Sequence, residues 1–184
     1  MNICGFSTCD LANGPGARVS LFTSGCSLHC PHCFQPESWD FNAGVLFDNA
    51  FKEKVLKALS DPHIDGLSIL GGDPLEPENE PEVIAFLKTV REKFPEKTIW
   101  LWTGRKKEKV LRDHKEIVEL CDVVKSGPYI DKLKCNGKYF GSSNQEVWWC
   151  KTLEPYDDKD SINSHAQKDV IVEKRHVCNI DCCG

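Results

Sequence analysis

The stretch Gly25-Cys26-Ser27-Leu28-His29-Cys30-Pro31-His32-Cys33 carries three cysteines, separated by three and then by two other residues. It follows the apolar run Val19-Ser20-Leu21-Phe22, which predicts a strand. A loop this short can turn three sulfur atoms toward one small target. Structural zinc prefers four ligands in a closed tetrahedron, and a 4Fe–4S cluster ordinarily takes four thiolates. Three thiolates on such a cluster leave one iron open, as catalytic zinc sites leave one position open.

The same three thiols are also compatible with two simpler roles. The cysteines could hold a zinc ion whose fourth ligand is His29, His32 or a cysteine near the C-terminus. They could also be ordinary buried thiols, because free cysteine often packs as a small apolar residue.

Length and composition limit the kind of protein. A chain of 184 residues predicts one compact domain, with room for a short appendage. The net charge is −5 and no block of Lys or Arg occurs, so we expect no nucleic-acid partner. The apolar runs are too short to span a membrane, and no secretion signal is recognisable, so no membrane partner is expected. Eleven cysteines then indicate a cytoplasmic protein whose thiols bind metal or do redox chemistry.

Predicted strands and helices alternate along the middle of the chain. The strands are expected over 19–22, 67–70, 98–102 and 121–124, and the helices over 48–59, 83–94 and 106–120. Residues 1–17, with the turn sequence Asn13-Gly14-Pro15-Gly16, are predicted to be a loop before the first strand. The alternation favours βα units and a parallel sheet. Right-handed crossovers then place the loops that follow the strands on one rim.

A glycine-rich segment, Gly71-Gly72-Asp73-Pro74-Leu75, follows the second predicted strand. Two glycines let the backbone approach a ligand closely, and proline ends the strand. A lone Gly-Gly pair is a weak signal, but this one comes one strand–helix unit after the cysteine loop.

The spacing of the three cysteines resembles the signature of the radical S-adenosylmethionine superfamily. Five segments also resemble, in their order, the family of activating proteins of anaerobic ribonucleoside-triphosphate reductases, which are glycyl-radical activases. These segments are Asn13-Gly14-Pro15-Gly16, the cysteine loop, Gly71-Gly72-Asp73-Pro74-Leu75, Trp102-Thr103-Gly104 and Gly141-Ser142-Ser143-Asn144-Gln145. The resemblance covers residues 8–147. His32 and Gln35 differ from the residues common at their positions, and neither change removes a cluster ligand.

The resemblance implies a fold and a domain organisation. The fold is expected to be α/β, a small partial (βα) barrel of the radical S-adenosylmethionine type with mostly parallel strands and a short C-terminal extension. Residues 1–150 would form the activase domain. Residues 151–184 would form a polar linker and a cysteine-rich tail.

The resemblance also implies the cofactors and their ligands. Cys26, Cys30 and Cys33 would hold a 4Fe–4S cluster whose fourth iron binds S-adenosyl-L-methionine. Further cofactor contacts are implied for His32, Cys33, Phe34, Gly71, Gly72, Asp73, Pro74, Thr103 and Gly104. An external donor such as flavodoxin would supply the electron that cleaves the cofactor. The radical so formed would take a hydrogen atom from a glycine of the partner reductase, with no catalytic residue needed beyond the cluster.

For two parts of the chain, the sequence leaves more than one role open. Ser142 to Gln145 could be polar contacts near the site or a hydrogen-bonded turn. The tail carries an apolar triplet at 170–172, which could add an edge strand, and Cys178, Cys182 and Cys183. These thiols could bind a second metal together with Cys135 or Cys150, could form a redox relay, or could be unpaired.

Two alternative functions are compatible with the same sequence. The first is another radical S-adenosylmethionine enzyme of small size, including an activase of a different glycyl-radical enzyme. The second is a zinc-binding interaction module that uses the same thiols.

Overall fold

The computed structural model describes residues 1–157, which form a mixed α/β fold around one seven-stranded sheet. The strands are β1 (Asn2–Asp10), β2 (Arg18–Thr23), β3 (Val45–Leu46), β4 (Gly66–Gly71), β5 (Thr98–Trp102), β6 (Val123–Ser126) and β7 (Glu146–Trp149). The helices are α1 (Asn49–Leu59), α2 (Glu80–Lys93), α3 (Lys107–Asp113) and α4 (Lys115–Leu120), and two short 3₁₀ turns cover Pro36–Trp39 and Asp131–Leu133. The strand order is β3-β1-β2-β4-β5-β6-β7.

The four central strands are parallel, as the alternation of strands and helices predicts. β2 pairs with β4, β4 with β5 and β5 with β6, all in parallel register, whereas β1, β3 and β7 join antiparallel at the two sides. The carboxyl ends of the parallel strands therefore share one rim. Thr23 at the end of β2 lies opposite Gly71 at the end of β4, so the loops that follow these strands start side by side.

Two local predictions were wrong, and the bounds of a third were shifted. Residues 2–10 form β1 rather than a loop, because they pair along the free side of β2. The helix predicted over 106–120 is two helices, α3 and α4, which break at His114, whose φ of −125° and ψ of 43° are not helical. The strand predicted over 121–124 lies over Val123–Ser126.

The two faces of the sheet differ in character. All four helices contribute to one apolar core, which uses the alternate strand residues Val19, Leu21, Leu67, Ile69, Ile99, Leu101 and Val124. The residues between them point to the opposite face, because successive strand side chains alternate. These residues include Arg18, Phe22, Ser68, Leu70, Trp100, Trp102 and Lys125. The second face is therefore polar and aromatic, which suits a binding surface better than a core.

Arg18 closes the base of this second face. Its guanidinium is fully buried and donates hydrogen bonds to the Ser68 hydroxyl at 2.7 Å, to the Leu67 carbonyl at 2.7 Å and to the Thr98 hydroxyl at 2.8 Å. Ser68 in turn donates to the Asn13 carbonyl at 2.5 Å, which fixes the turn before β2. Burial lowers the pKa of Arg18 to about 10, although Asp65 opposes the shift. One side chain thus joins three strands.

The C-terminal predictions fall almost wholly outside the described residues. The expected strand at 170–172 and the cysteines Cys178, Cys182 and Cys183 all lie beyond residue 157. Residues 153–157 pack back on the sheet: Trp148 forms a bridge with Pro155, and the ring of Tyr156 lies 4.8 Å from that of Trp100. Within residues 1–157, no helix is both long and apolar enough to cross a bilayer.

Candidate functional site

A cavity of about 1130 Å³ opens on the second face of the sheet, at the rim where the parallel strands end. Its wall is made by the loops after β2, β4, β5 and β6 and by the inner face of the strands. The wall includes all three cysteines of the Cys26–Cys33 loop, Gly71, Gly72, Trp102, Thr103, Gly104 and Lys125. Four segments that are distant in the sequence therefore meet at one cavity, as the shared rim predicts.

The cysteine loop is compact and strained at two positions. Cys26 is 7 % exposed, whereas Cys30 and Cys33 are half-buried. The Cys33 N–H donates to the Cys30 carbonyl at 3.0 Å, which closes a tight turn. His29 and His32 have φ values of 42° and 59°, in the left-handed region that residues other than glycine seldom adopt. Such strain is often found at binding sites, where the surrounding structure maintains it.

An aromatic contact and the glycine-rich segment support this loop. The imidazole of His29 stacks on Trp39 at 4.6 Å between ring centroids. The Asp73 N–H donates to the Gly25 carbonyl at 2.8 Å, and the side-chain amide of Asn79 donates to the Ser24 carbonyl at 2.8 Å. The strand-to-loop junction before Cys26 is therefore hydrogen-bonded directly to the segment that follows β4.

The two glycines of that segment allow the loops to approach each other. Gly71 has a φ of +110°, which a side chain would strain. A Cβ atom on Gly72 would lie 2.4 Å from the Gly25 carbonyl oxygen, closer than real contacts permit. The sequence predicts close approach of this backbone to a ligand. The structure shows close approach to the cysteine loop, and both glycines also line the cavity.

Asp73 and Pro74 are buried and are not part of the cavity wall. The carboxylate of Asp73 accepts hydrogen bonds from the Leu75 N–H at 2.9 Å and the Gly104 N–H at 3.2 Å, and both its oxygens lie within 2.9 Å of the Thr103 hydroxyl. Burial raises the pKa of Asp73, against the effect of these donors. In this arrangement the side chain joins the loops after β4 and β5.

The other predicted cofactor contacts lie on the cavity wall. His32, Cys33, Phe34, Thr103 and Gly104 all line it, and Phe34 is fully exposed at its mouth. Trp102 lines it too, and its buried indole N–H has no hydrogen-bond acceptor among residues 1–157.

Ser142 to Gln145 form a hydrogen-bonded turn, which is one of the two roles that the sequence allows for them. The Gln145 side chain accepts from the Gly141 N–H at 3.0 Å and donates to the Gly127 carbonyl at 2.9 Å. The Asn144 amide donates to the Pro128 carbonyl at 2.8 Å. This turn fastens the long loop between β6 and β7, which covers one side of the cavity.

Several residues in or beside the cavity were not predicted to belong to this site, and one of them, Cys135, was named only as a possible ligand of a second metal. Lys125, on β6, faces the cavity, and its ammonium lies 5.8 Å from the ring centroid of Trp102. Burial lowers its pKa to about 8, while Asp73 and Cys30 oppose the shift. Cys135 also lines the cavity. Glu76 and Arg105 form an ion pair at 3.3 Å beneath the cysteine loop. Lys125, Glu76 and Arg105 belong to no short motif, so a single sequence gives no signal for them.

The Cys26 thiol would have to lose a proton before it could bind a metal. The pKa of Cys26 is raised to about 11, mainly by burial. The charges of Asp73 and Glu76 also raise it, whereas a hydrogen bond with the Leu28 backbone lowers it. Metal binding to such a thiol releases a proton. Among the described residues, no three His, Cys, Asp or Glu side chains already surround a point in the way that one metal ion requires.

The fold and the cavity agree with a known class of domain. Residues 12–148 match the family model described as "4Fe-4S single cluster domain". This range includes the cysteine loop and every loop of the cavity wall. The chain is therefore a 4Fe–4S single-cluster-domain protein by family.

Curated relatives identify the family more closely. An Escherichia coli K12 protein is 37% identical over 150 residues, which cover 80% of this chain and 97% of the relative. A phage T4 protein is 38% identical over 148 residues, which cover 80% of this chain and 94% of the relative. A Salmonella typhimurium protein is 38% identical over 141 residues, which cover 75% of this chain and 92% of the relative. All three are named anaerobic ribonucleoside-triphosphate reductase-activating protein, and this chain belongs to that family.

Proposed function

We propose that this protein is a radical S-adenosylmethionine enzyme that activates an anaerobic ribonucleoside-triphosphate reductase by generating a glycyl radical on it. The observation that carries the proposal is that Cys26, Cys30 and Cys33 line one cavity together with the glycine-rich segment and the end of β5. The names of the relatives supply the partner. The reaction would make the protein an oxidoreductase.

The donor set and the space support a cluster with an exchangeable position. The wall offers three thiols from one short loop, and a cavity of about 1130 Å³ is large enough for both a small cluster and an organic cofactor. Thiolates on a cubic cluster bind different irons, so they need not surround one point as the ligands of a zinc ion do.

The residues of the chain would position the reactants and exclude water. Bound together, the cluster and S-adenosyl-L-methionine supply the one-electron chemistry that removes a hydrogen atom from the partner glycine. Cys26, Cys30 and Cys33 would hold the cluster. Gly71 and Gly72 would leave backbone groups accessible to the methionine end, and Thr103, Gly104 and His32 to Phe34 would flank the rest of the cofactor. Asp73 and Pro74 would act on the cofactor only through the loops that they hold.

The reductant would be an external protein such as flavodoxin, and the compartment would be the cytoplasm. The sheet would curve into the partial barrel of the superfamily around the cavity. The activase domain would end near residue 150, although the packing of Tyr156 on Trp100 extends its contacts to the last described residues.

Anaerobic reconstitution tests the proposal. The purified protein is incubated with iron and sulfide, reduced with dithionite and assayed with S-adenosyl-L-methionine for 5′-deoxyadenosine. We expect about four irons per chain and cleavage of the cofactor. Cys30→Ala should lose both. Cys9→Ala is the matched control, because Cys9 is exposed on β1 and does not line the cavity, and it should retain both.

Two results would overturn the proposal. Tight binding of zinc without cofactor cleavage would favour the interaction module instead. Full cleavage by Cys30→Ala would show that the three cysteines do not hold the reactive cluster. Cleavage without radical formation on an anaerobic ribonucleoside-triphosphate reductase, but with radical formation on another glycyl-radical enzyme, would change the partner and leave the chemistry in place.

A further inference from the structure

Glu76 is an acidic residue buried directly beneath the cysteine loop. It is 3 % exposed, although it lies on a short turn between the glycine-rich segment and α2. Its Oε1 accepts hydrogen bonds from both the backbone N–H of Ser27, at 3.0 Å, and the Ser27 hydroxyl, at 2.8 Å. Ser27 is the residue next to Cys26. A buried carboxylate therefore holds the first turn of the loop that carries the three thiols.

The other oxygen of Glu76 faces a positive charge. The Arg105 Nη2 lies 3.3 Å from Glu76 Oε2, and both side chains are nearly buried. The Arg105 Nε also donates to the Leu75 carbonyl at 3.2 Å, which holds the guanidinium in place. Arg105 follows β5, so the ion pair links the cysteine loop to the loops after β4 and β5.

The charges of such a pair act strongly on a cluster close by. The reduction potential of an iron–sulfur cluster depends on its net charge, on hydrogen bonds near its sulfurs and on solvent exposure. A negative charge close to the cluster disfavours the added electron, and low local polarity enlarges the effect. Groups beyond the direct ligands commonly tune a metal centre in this way.

We propose that Glu76 is a positioning residue of the cluster site, which fixes the cysteine loop through Ser27 and lowers the reduction potential of the cluster through its negative charge. Arg105 opposes this effect and keeps the buried carboxylate paired. The inference rests on the proposed 4Fe–4S site. It adds that the loop and the potential depend on one buried ion pair that belongs to no motif.

The midpoint potential of the reconstituted cluster, measured without S-adenosyl-L-methionine, tests this role. Glu76→Gln removes the charge but keeps an oxygen that can accept from Ser27, so the potential should shift to more positive values. Glu78→Gln is the matched control, because Glu78 is exposed two residues away and its loss makes the same change in net charge. An equal potential in Glu76→Gln and Glu78→Gln would overturn the inference.

Arg105→Met supplies the opposite charge change. It removes the positive partner, so the potential should move to more negative values. A loosened loop would move both variants in the same direction, whereas a charge effect moves them in opposite directions. If Glu76→Gln does not assemble a cluster while Glu78→Gln does, the midpoint potential of Arg105→Met becomes the test. An unchanged or more positive potential in Arg105→Met would then overturn the inference. Failure of the unmodified protein to assemble a cluster would instead overturn the proposed function.

Discussion

The hydroxyl oxygen of Thr103 lies 2.8 Å from one carboxylate oxygen of Asp73 and 2.9 Å from the other. The two residues are 30 positions apart and lie just after the ends of neighbouring strands, and both are almost fully buried. Since the Gly104 N–H also donates to this carboxylate, the contact joins two loops of the cavity wall. The wall therefore depends on a buried polar group that faces no solvent.

Thr103→Val should destabilise the protein, because it removes a hydroxyl from a buried carboxylate and replaces it with a methyl group of similar size. We expect the free energy of unfolding to fall by about 1–3 kcal/mol. The measurement is urea unfolding of the metal-free protein. Thr89→Val is the matched control, since that hydroxyl donates to the Ala85 carbonyl in an exposed position on α2, and its effect should stay within about 0.5 kcal/mol. Equal effects of the two changes would contradict a structural role for the Asp73 contact.

Gly72→Ala should separate the glycine-rich segment from the cysteine loop. Its Cβ would lie 2.4 Å from the Gly25 carbonyl oxygen, and backbone cannot move away as easily as a side chain. We expect a loss of about 2 kcal/mol or more in unfolding free energy and a lower iron content after reconstitution. Gly5→Ala is the control, because the atoms nearest to its Cβ would belong to the Phe22 side chain, at 3.2 Å, and not to backbone. Normal iron content in Gly72→Ala would show that the close contact is not needed for the site.

The sequence predicts the elements whose signal is local. β2, β4 and β5 were predicted because each is a short apolar run, and the cysteine and glycine segments were found because each is a short pattern. β1 was missed because residues 2–10 contain Gly5 and several small polar residues and bury only Ile3 well. What makes them a strand is pairing with β2, which no window of the sequence shows.

The missed parts of the site have the same cause. Glu76 and Ser27 are 49 positions apart, and the break between α3 and α4 coincides with a contact of 2.7 Å between His114 and Glu80, 34 positions away. Asp73 was expected to contact the cofactor because its segment resembles the glycine-rich motif of the family. The structure turns its carboxylate toward Thr103, which comes next to it only when β4 and β5 pair.

Cys121 and Cys150 should resist alkylation in the folded protein. Both are buried; burial raises the pKa of Cys121 well above its usual value and that of Cys150 to about 12, with Asp122 adding to the second shift. Because the thiolate is the reactive form, both thiols should be almost inert near neutral pH. Cys9 is exposed and should react quickly. Brief iodoacetamide treatment followed by peptide mass spectrometry, with and without urea, measures this, and comparable labelling of Cys121 and Cys9 without urea would contradict the packing.

Lys125→Met should remove a pH dependence of stability. Burial lowers the pKa of Lys125 to about 8 in the folded protein, from 10.5 in an unperturbed side chain. At a pH between these two pKa values, Lys125 keeps its proton in the unfolded chain but has lost it in the folded protein. The cost of burying a charged ammonium is then relieved, so Lys125 makes the free energy of unfolding rise with pH. At a pH below about 8, Lys125 is charged in both states, and the whole cost of burying its charge destabilises the folded protein.

The test compares urea unfolding of the metal-free protein and of Lys125→Met from about pH 7 to about pH 10. Groups that do not interact with Lys125 contribute equally to both proteins and cancel in the difference. The variant should be the more stable protein at neutral pH, because methionine has a similar length and carries no charge to desolvate. Its advantage should shrink as the pH rises through the window. An advantage that stays constant with pH would mean that Lys125 is solvated and that the cavity wall at β6 is open to water.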